Sequence, residues 1–136
     1  MSYAMSGPLQ QAVFAALSAD TALTEMVGTA IFDAGPVGDV PPLYVRLGDE
    51  DVRDASDGSG AGALHQFGIA IVSAAPGFAD AKQVAGAISD VLHDADLALS
   101  KGHLVSLQFA RATAKYVAAA QVRQIDMQFR ARVQDT

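Results

Sequence analysis

The segment Leu43-Tyr44-Val45-Arg46-Leu47 and the segment His65-Gln66-Phe67-Gly68-Ile69-Ala70-Ile71-Val72-Ser73 decide the fold. In the first, Leu43, Val45 and Leu47 alternate with Tyr44, Arg46 and Gly48, the period-2 pattern of a half-buried strand. The second repeats it, with His65, Phe67, Ile69 and Ile71 on one side. Between them the alternation decays through DEDVRDASDGSGAGA, residues 49–63, whose charge and glycine content predict a flexible acidic loop or a protruding hairpin tip. Ile31 and Phe32 form a further short strand, set off by the glycines and prolines of AGPVGDVPP.

Helical patterns lie on either side of these strands. Pro8 suits a first helical position, and Leu9, Val13, Ala16 and Leu17 then share one face. Asp20 is placed to cap a second, brief helix carrying Leu23, Met26 and Val27, ended by Gly28. Ala81, Val84, Ala85, Ile88, Val91, Leu92 and Ala95 recur at spacings of 3, 4 and 7, an amphipathic helix. Two strands close the chain. Val105, Leu107 and Phe109 open the first, continued by Arg111, Thr113 and Lys115 on the same face. Ile125, Met127, Phe129, Ala131 and Val133 point inward from the second, and a connection near Ala118 to Ala120 makes the pair an antiparallel hairpin.

The order ααβββαββ predicts an α+β fold, a mostly antiparallel sheet with helices packed on one face. At 136 residues the chain is a single domain, residues 1–136, with one core. It contains no cysteine, so neither disulfides nor thiolate metal sites are available. No signal-like start or run of roughly 18 apolar residues occurs, which predicts a soluble protein with no membrane contact.

The formal charge of −6 is unevenly spread. Residues 20–57 hold nine acids and two arginines, and residues 101–136 hold six bases and two acids. An overall acidic chain argues against a phosphate-gripping nucleic-acid binder. Opposite-signed regions suit contacts between subunits.

No catalytic pattern survives inspection. His65, His93 and His103 show neither HxH nor HExxH spacing, and the group His93, Asp94 and Asp96 reads as solvated residues at a helix end. Residues 49–62 fail as a calcium loop, because Arg53, Ala55 and Leu64 fall where ligands belong. GSGAG lacks both phosphate-loop spacings, and no serine sits in a GxSxG context. The expectation is a protein without catalytic residues, metal or cofactor.

Taken in order, LQQAVFAAL, LTEMVGTAIFD, PPLYVRLGDE, the segment from His65 to Leu99, HLVSLQFARATAKYV and RQIDMQFRARV resemble the tail-terminator, or tail-completion, proteins of long-tailed phages and of phage-like gene transfer agents. The likeness covers nearly the whole chain and rests on order and spacing, not on one motif. The VAAAQ connection, residues 117–121, departs from the Asp or Gly that such proteins often carry there.

The resemblance implies a non-enzymatic virion protein, forming a ring of usually six copies at the head-proximal end of the tail tube. There it would stop tube polymerisation and join the tail tube protein to the connector of the head, with DNA passing through its channel unbound. A closed ring needs unlike patches on each subunit. Arg111, Arg123, Arg130 and Arg132 facing Asp33, Asp39, Asp49 or Asp51 is the expected complementarity. Asp49, Glu50, Asp51, Asp54 and Asp57 are expected to line the channel, repelling phosphates, or to form a docking rim. The alternatives are another tube or neck subunit of the same particle, or a small oligomeric enzyme or ligand-binding protein with His65, His103 and an aspartate at a subunit interface.

Overall fold

The computed structural model describes residues 2–36, 38–56 and 61–135. A 3-10 turn, Ser2–Met5, leads into helices α1 (Ser6–Ala19) and α2 (Thr21–Val27). Strands β1 (Ile31–Phe32), β2 (Leu43–Asp54) and β3 (Gly62–Ser73) follow, then helix α3 (Ala79–Leu92) and the hairpin β4 (His103–Val117) and β5 (Val122–Gln134). The strands form one sheet in the order β1-β2-β3-β5-β4, antiparallel throughout except for the parallel β1–β2 pair. This is the α+β arrangement expected from the pattern.

Local chemistry sets the helix boundaries. Pro8 is the third residue of α1, where its missing N–H is still one of the first-turn donors without an intrahelical acceptor. Asp20 ends α1 and begins α2, its carboxylate accepting the Leu23 N–H at 2.9 Å. Gly28 ends α2 at φ 59°, a backbone conformation open to glycine.

Leu9, Val13 and Leu17 of α1, Leu23 of α2, and Val84, Ile88 and Leu92 of α3 are buried against one face of the sheet. That face supplies Val45, Leu47, Phe67, Ile69, Ile71, Ile125, Met127 and Phe129. β5 is the keystone strand: it pairs with β3 on one side and β4 on the other, although it is last in sequence. Phe129 is fully buried, stacked on Phe67 at 5.7 Å and met edge-on by Phe109 at 5.8 Å.

Two features differ from the sequence reading. The acidic segment is not a loop from residue 49 onward, because β2 continues to Asp54, paired with Ala63 of β3. A bulge between Leu47 and Glu50 inserts one residue and shifts the alternation, so Glu50 and Val52 follow Leu47 on the helix side. Apolar residues no longer mark the buried side there, which is why the strand signal fades. Residues 57–60, the rest of the expected loop, lie outside the described residues.

In β4, register shifts at Leu104/Ser106 and Phe109/Arg111 act likewise. Arg111, Thr113 and Lys115 pair with Gln128, Asp126 and Gln124, so they lie on the face opposite Leu107 and Phe109 instead of continuing it. The VAAAQ connection is closed by Gln121 in a left-handed conformation, φ 55°, with its N–H on the Ala118 carbonyl at 3.2 Å.

Replacing Phe129 with Ala is expected to cost about 3–5 kcal/mol of unfolding free energy in urea titration. A loss below about 1 kcal/mol would contradict the central place of β5.

Candidate functional site: the uncovered sheet face

The buried polar groups are structural ties. The bulge turns Glu50 towards the helices, where its carboxylate accepts the Ser6 hydroxyl at 2.7 Å and stands 3.4 Å from Nδ1 of the fully buried His65. Serine, histidine and carboxylate thus meet, but in the wrong order for nucleophilic catalysis. The hydroxyl donates to the carboxylate, and the histidine does not reach it. Nε2 of His65 points into the interior with no hydrogen-bond partner among the described residues. A void of about 30 Å³ beside Glu50, lined by Leu9, Val13, Leu47 and Phe67 among others, has room for little more than a water. Glu50 therefore ties the start of α1 to β2 on the helix side of the sheet.

The other histidines also hold local structure. His93 Nδ1 accepts the Phe109 N–H at 3.0 Å, tying the end of α3 to the β4 bulge, while Nε2 lies 3.4 Å from Asp94. His103 Nε2 lies 3.1 Å from the Gln134 side-chain oxygen. Among the described residues, no three His, Asp or Glu side chains converge to hold a metal ion.

Among the described residues, no helix or strand covers the opposite face of the sheet, and the segment from Val40 to Pro42 borders one end of it. Cross-strand partners lie on the same side of a sheet, so the ladders define successive rows on it. One row runs Arg46, Ala70, Asp126, Thr113, and another Asp51, Gln66, Arg130, Gln108. A third runs Arg53, Leu64, Arg132, Ser106. Gly48, Gly68 and Ala70 form the floor of a shallow hollow edged by Arg46, Asp49, Lys115, Gln124, Asp126 and Gln128. The hollow stays open because Gly68 has no side chain: a Cβ there would lie 3.3 Å from the Gln128 amide nitrogen.

Charge is segregated by face. Among the described residues, Arg46, Arg53, Arg111, Lys115, Arg130 and Arg132 lie on the uncovered face, six of the nine Lys and Arg residues, against three acids, Asp49, Asp51 and Asp126. The face thus carries a surplus of three positive charges in a chain of −6. Asp51 is 3.2 Å from Arg53, and Asp126 is 3.0 Å from Lys115. Partial burial of Asp126 raises its carboxyl pKa. Hydrogen bonds from Gln124 and Lys115, with the charges of Lys115 and Arg46, outweigh this and hold it below the usual carboxylate value.

The structure separates the residues singled out in the sequence. Asp49 and Asp51 are on the uncovered face, Glu50 is turned inward, Asp54 shares the Glu50 side of the ladder, and Asp57 lies outside the described residues. They are not one acidic loop. Arg132 donates to the Ala55 carbonyl at 3.1 Å, holding the β2–β3 turn. Arg123 donates to the Ala75 carbonyl at 2.9 Å, with its guanidinium near the rings of Phe78 and Tyr116. Arg111 and Arg130 are exposed and make no ion pair among the described residues.

The family model described as "Tail completion protein gp17" matches residues 11–134, from α1 to the last residue of β5. The chain belongs to this tail completion family. A solved chain of the "Virion of native gene transfer agent (GTA) particle" is 54% identical. It superposes with a TM-score of 0.92, and the match covers 98% of this chain and 99% of that one. No individually curated protein matches the sequence. The two matches thus span essentially the full chain. No helix of the described residues is long and apolar enough to cross a membrane.

The Asp126 environment gives a prediction with a defined sign. A carboxyl whose folded pKa is depressed contributes stability that is full above its unfolded value and is lost as pH falls through the folded one. Replacing Lys115 with Met should raise the Asp126 titration midpoint, followed by NMR of its side-chain carbon. An unchanged midpoint would remove Lys115 from the account.

Proposed function

We propose that the protein is a structural tail component of a phage-like particle, forming a closed ring, of six copies by family resemblance, on the head-proximal end of the tail tube. It ends tube growth and joins the tube to the head connector, with DNA passing through the ring. The observation that carries this reading is the near-complete match, at 54% identity, to a chain of a gene transfer agent virion.

The sheet supports a head-to-tail ring. Its two edges are unlike, and among the described residues neither is paired along its full length. At one edge β1 covers only Val45 and Arg46, leaving β2 from Gly48 to Asp54 without a neighbour on that side. At the other, no strand of the described residues lies beyond β4; His93 and Asp94 take the Phe109 N–H and the Leu107 carbonyl, and the rest of this edge, with Val105 and Tyr116 exposed along it, is unpaired. Open edges carry unpaired backbone donors and acceptors that another strand can satisfy. β4 runs opposite to β2, so rotation about an axis along the strands brings the two edges together as an antiparallel pair.

Such a rotation turns the same sheet face inward in every copy. With the helix layer outside, the uncovered face lines the lumen. Six copies of five strands spaced about 4.8 Å apart make a belt of roughly 140 Å, or about 45 Å across between backbones. That exceeds the width of a duplex with its flanking side chains.

Native mass spectrometry and negative-stain microscopy of the purified protein test the proposal. A closed ring at six times the chain mass is expected. A monomer at all concentrations, or open-ended tubes, would contradict it.

A further inference from the structure

We infer that the uncovered sheet face is a contact surface for the phosphate backbone of duplex DNA. The inference rests on the ring reading, which turns this face to the lumen. It reverses the polarity expected from the acidic run, because Glu50 is turned inward and the β4 bulge brings Arg111 and Lys115 onto the face.

Three observations carry it. The first is charge. Arg111 and Arg130 are exposed without an ion pair among the described residues, and two of the three acids on the face are already neutralised, Asp51 by Arg53 and Asp126 by Lys115. A basic patch on one side of a fold is the electrostatic footprint of a polyanion partner. The second is composition. Gln66, Gln108, Gln124 and Gln128 are interleaved with the bases, and glutamine amides together with arginine are frequent donors to phosphate oxygens.

The third is what the charged rows of the face lack. A lasting contact between copies has an apolar core depleted of charge. Here the three charged rows hold only Leu64 and Ala70 as apolar members, the apolar residues Tyr44, Val72, Val117 and Val122 gather at one end of the face beside Val40, and Val105, Phe109 and Tyr116 belong to the β4 edge. The remaining residues of the sequence hold twelve acids and three bases, a net charge of the sign that repels DNA. Attraction confined to one charged, wet face without base-reading geometry gives weak, sequence-independent and salt-dependent contact, which lets a duplex be held in line while it slides.

Fluorescence anisotropy of a short labelled duplex of arbitrary sequence, titrated with the full-length protein across about 50 to 200 mM salt, tests the inference. Binding is expected at the low end, falling steeply with salt. The double variant Arg111→Gln, Arg130→Gln is expected to bind about tenfold or more weakly, with a shallower salt slope, and to keep the parent's native mass. Lys82→Gln, on α3, is expected to change neither. Absence of binding by the parent ring at low salt, or unchanged binding by the double variant, would overturn the inference. So would a double variant that loses the parent's assembly, since the face would then lie between copies. A parent that binds with this slope yet stays monomeric would uphold the surface and remove the ring.

Discussion

A sheet covered by helices on one face only leaves two demands unmet: the chemistry of the other face and the backbone groups of its outermost strands. The rest of this structure follows from that constraint. The helix side is filled by Leu9, Val13, Leu17, Val84, Ile88 and Leu92 over β2, β3 and β5, and it completes a core without help from outside. The other side has no layer of its own, so its side chains must be soluble in the isolated chain and useful in the assembled particle. Arginine, lysine and glutamine at alternate positions of β5 and β4 meet the first requirement. Their excess of positive charge bears on the second.

The same constraint gives the bulges their meaning. Without the register shift at Leu47/Glu50, the acids that follow would continue the opposite phase. Glu50 could then not reach Ser6 and His65 on the helix side. Without the shift at Phe109/Arg111, Arg111 and Lys115 would lie with Phe109 on the helix-covered side, away from Asp126 and Gln128. A bulge also bends and twists its strand, which blunts an open edge against indiscriminate pairing. β4 carries two of them. A protein that must join neighbours in one arrangement, and not aggregate through a long exposed strand, has reason to keep both.

The regular parts of the fold were legible in the sequence. The alternation in β3 and β5, the 3-4-7 spacing in α3, the Asp20 cap and the Gly28 stop all correspond to elements found, because each signal comes from burial on one side of a regular repeat. What was not legible depends on phase. An inserted residue leaves composition untouched while exchanging the faces of everything beyond it, so residues 49–54 read as a loop and Arg111 as an inward continuation. The charge segregation was hidden for the same reason. Net charge summed along the chain gives an acidic protein, whereas summed by face it gives one basic surface and an acidic remainder. Arg123 and Arg132 illustrate a further limit: their partners are the carbonyls of Ala75 and Ala55, distant in sequence and without any side-chain signature.

The central claim is that the uncovered face stays open to solvent in the assembled protein. The chain has no cysteine, so one introduced thiol reports without background. Gln108→Cys on the uncovered face and Gln83→Cys on α3 should both react with a small maleimide in the assembled protein at rates close to those in the dissociated chain. Protection of the Gln108→Cys thiol on assembly, with the Gln83→Cys thiol still reactive, would show that the face is buried between copies and would contradict the account.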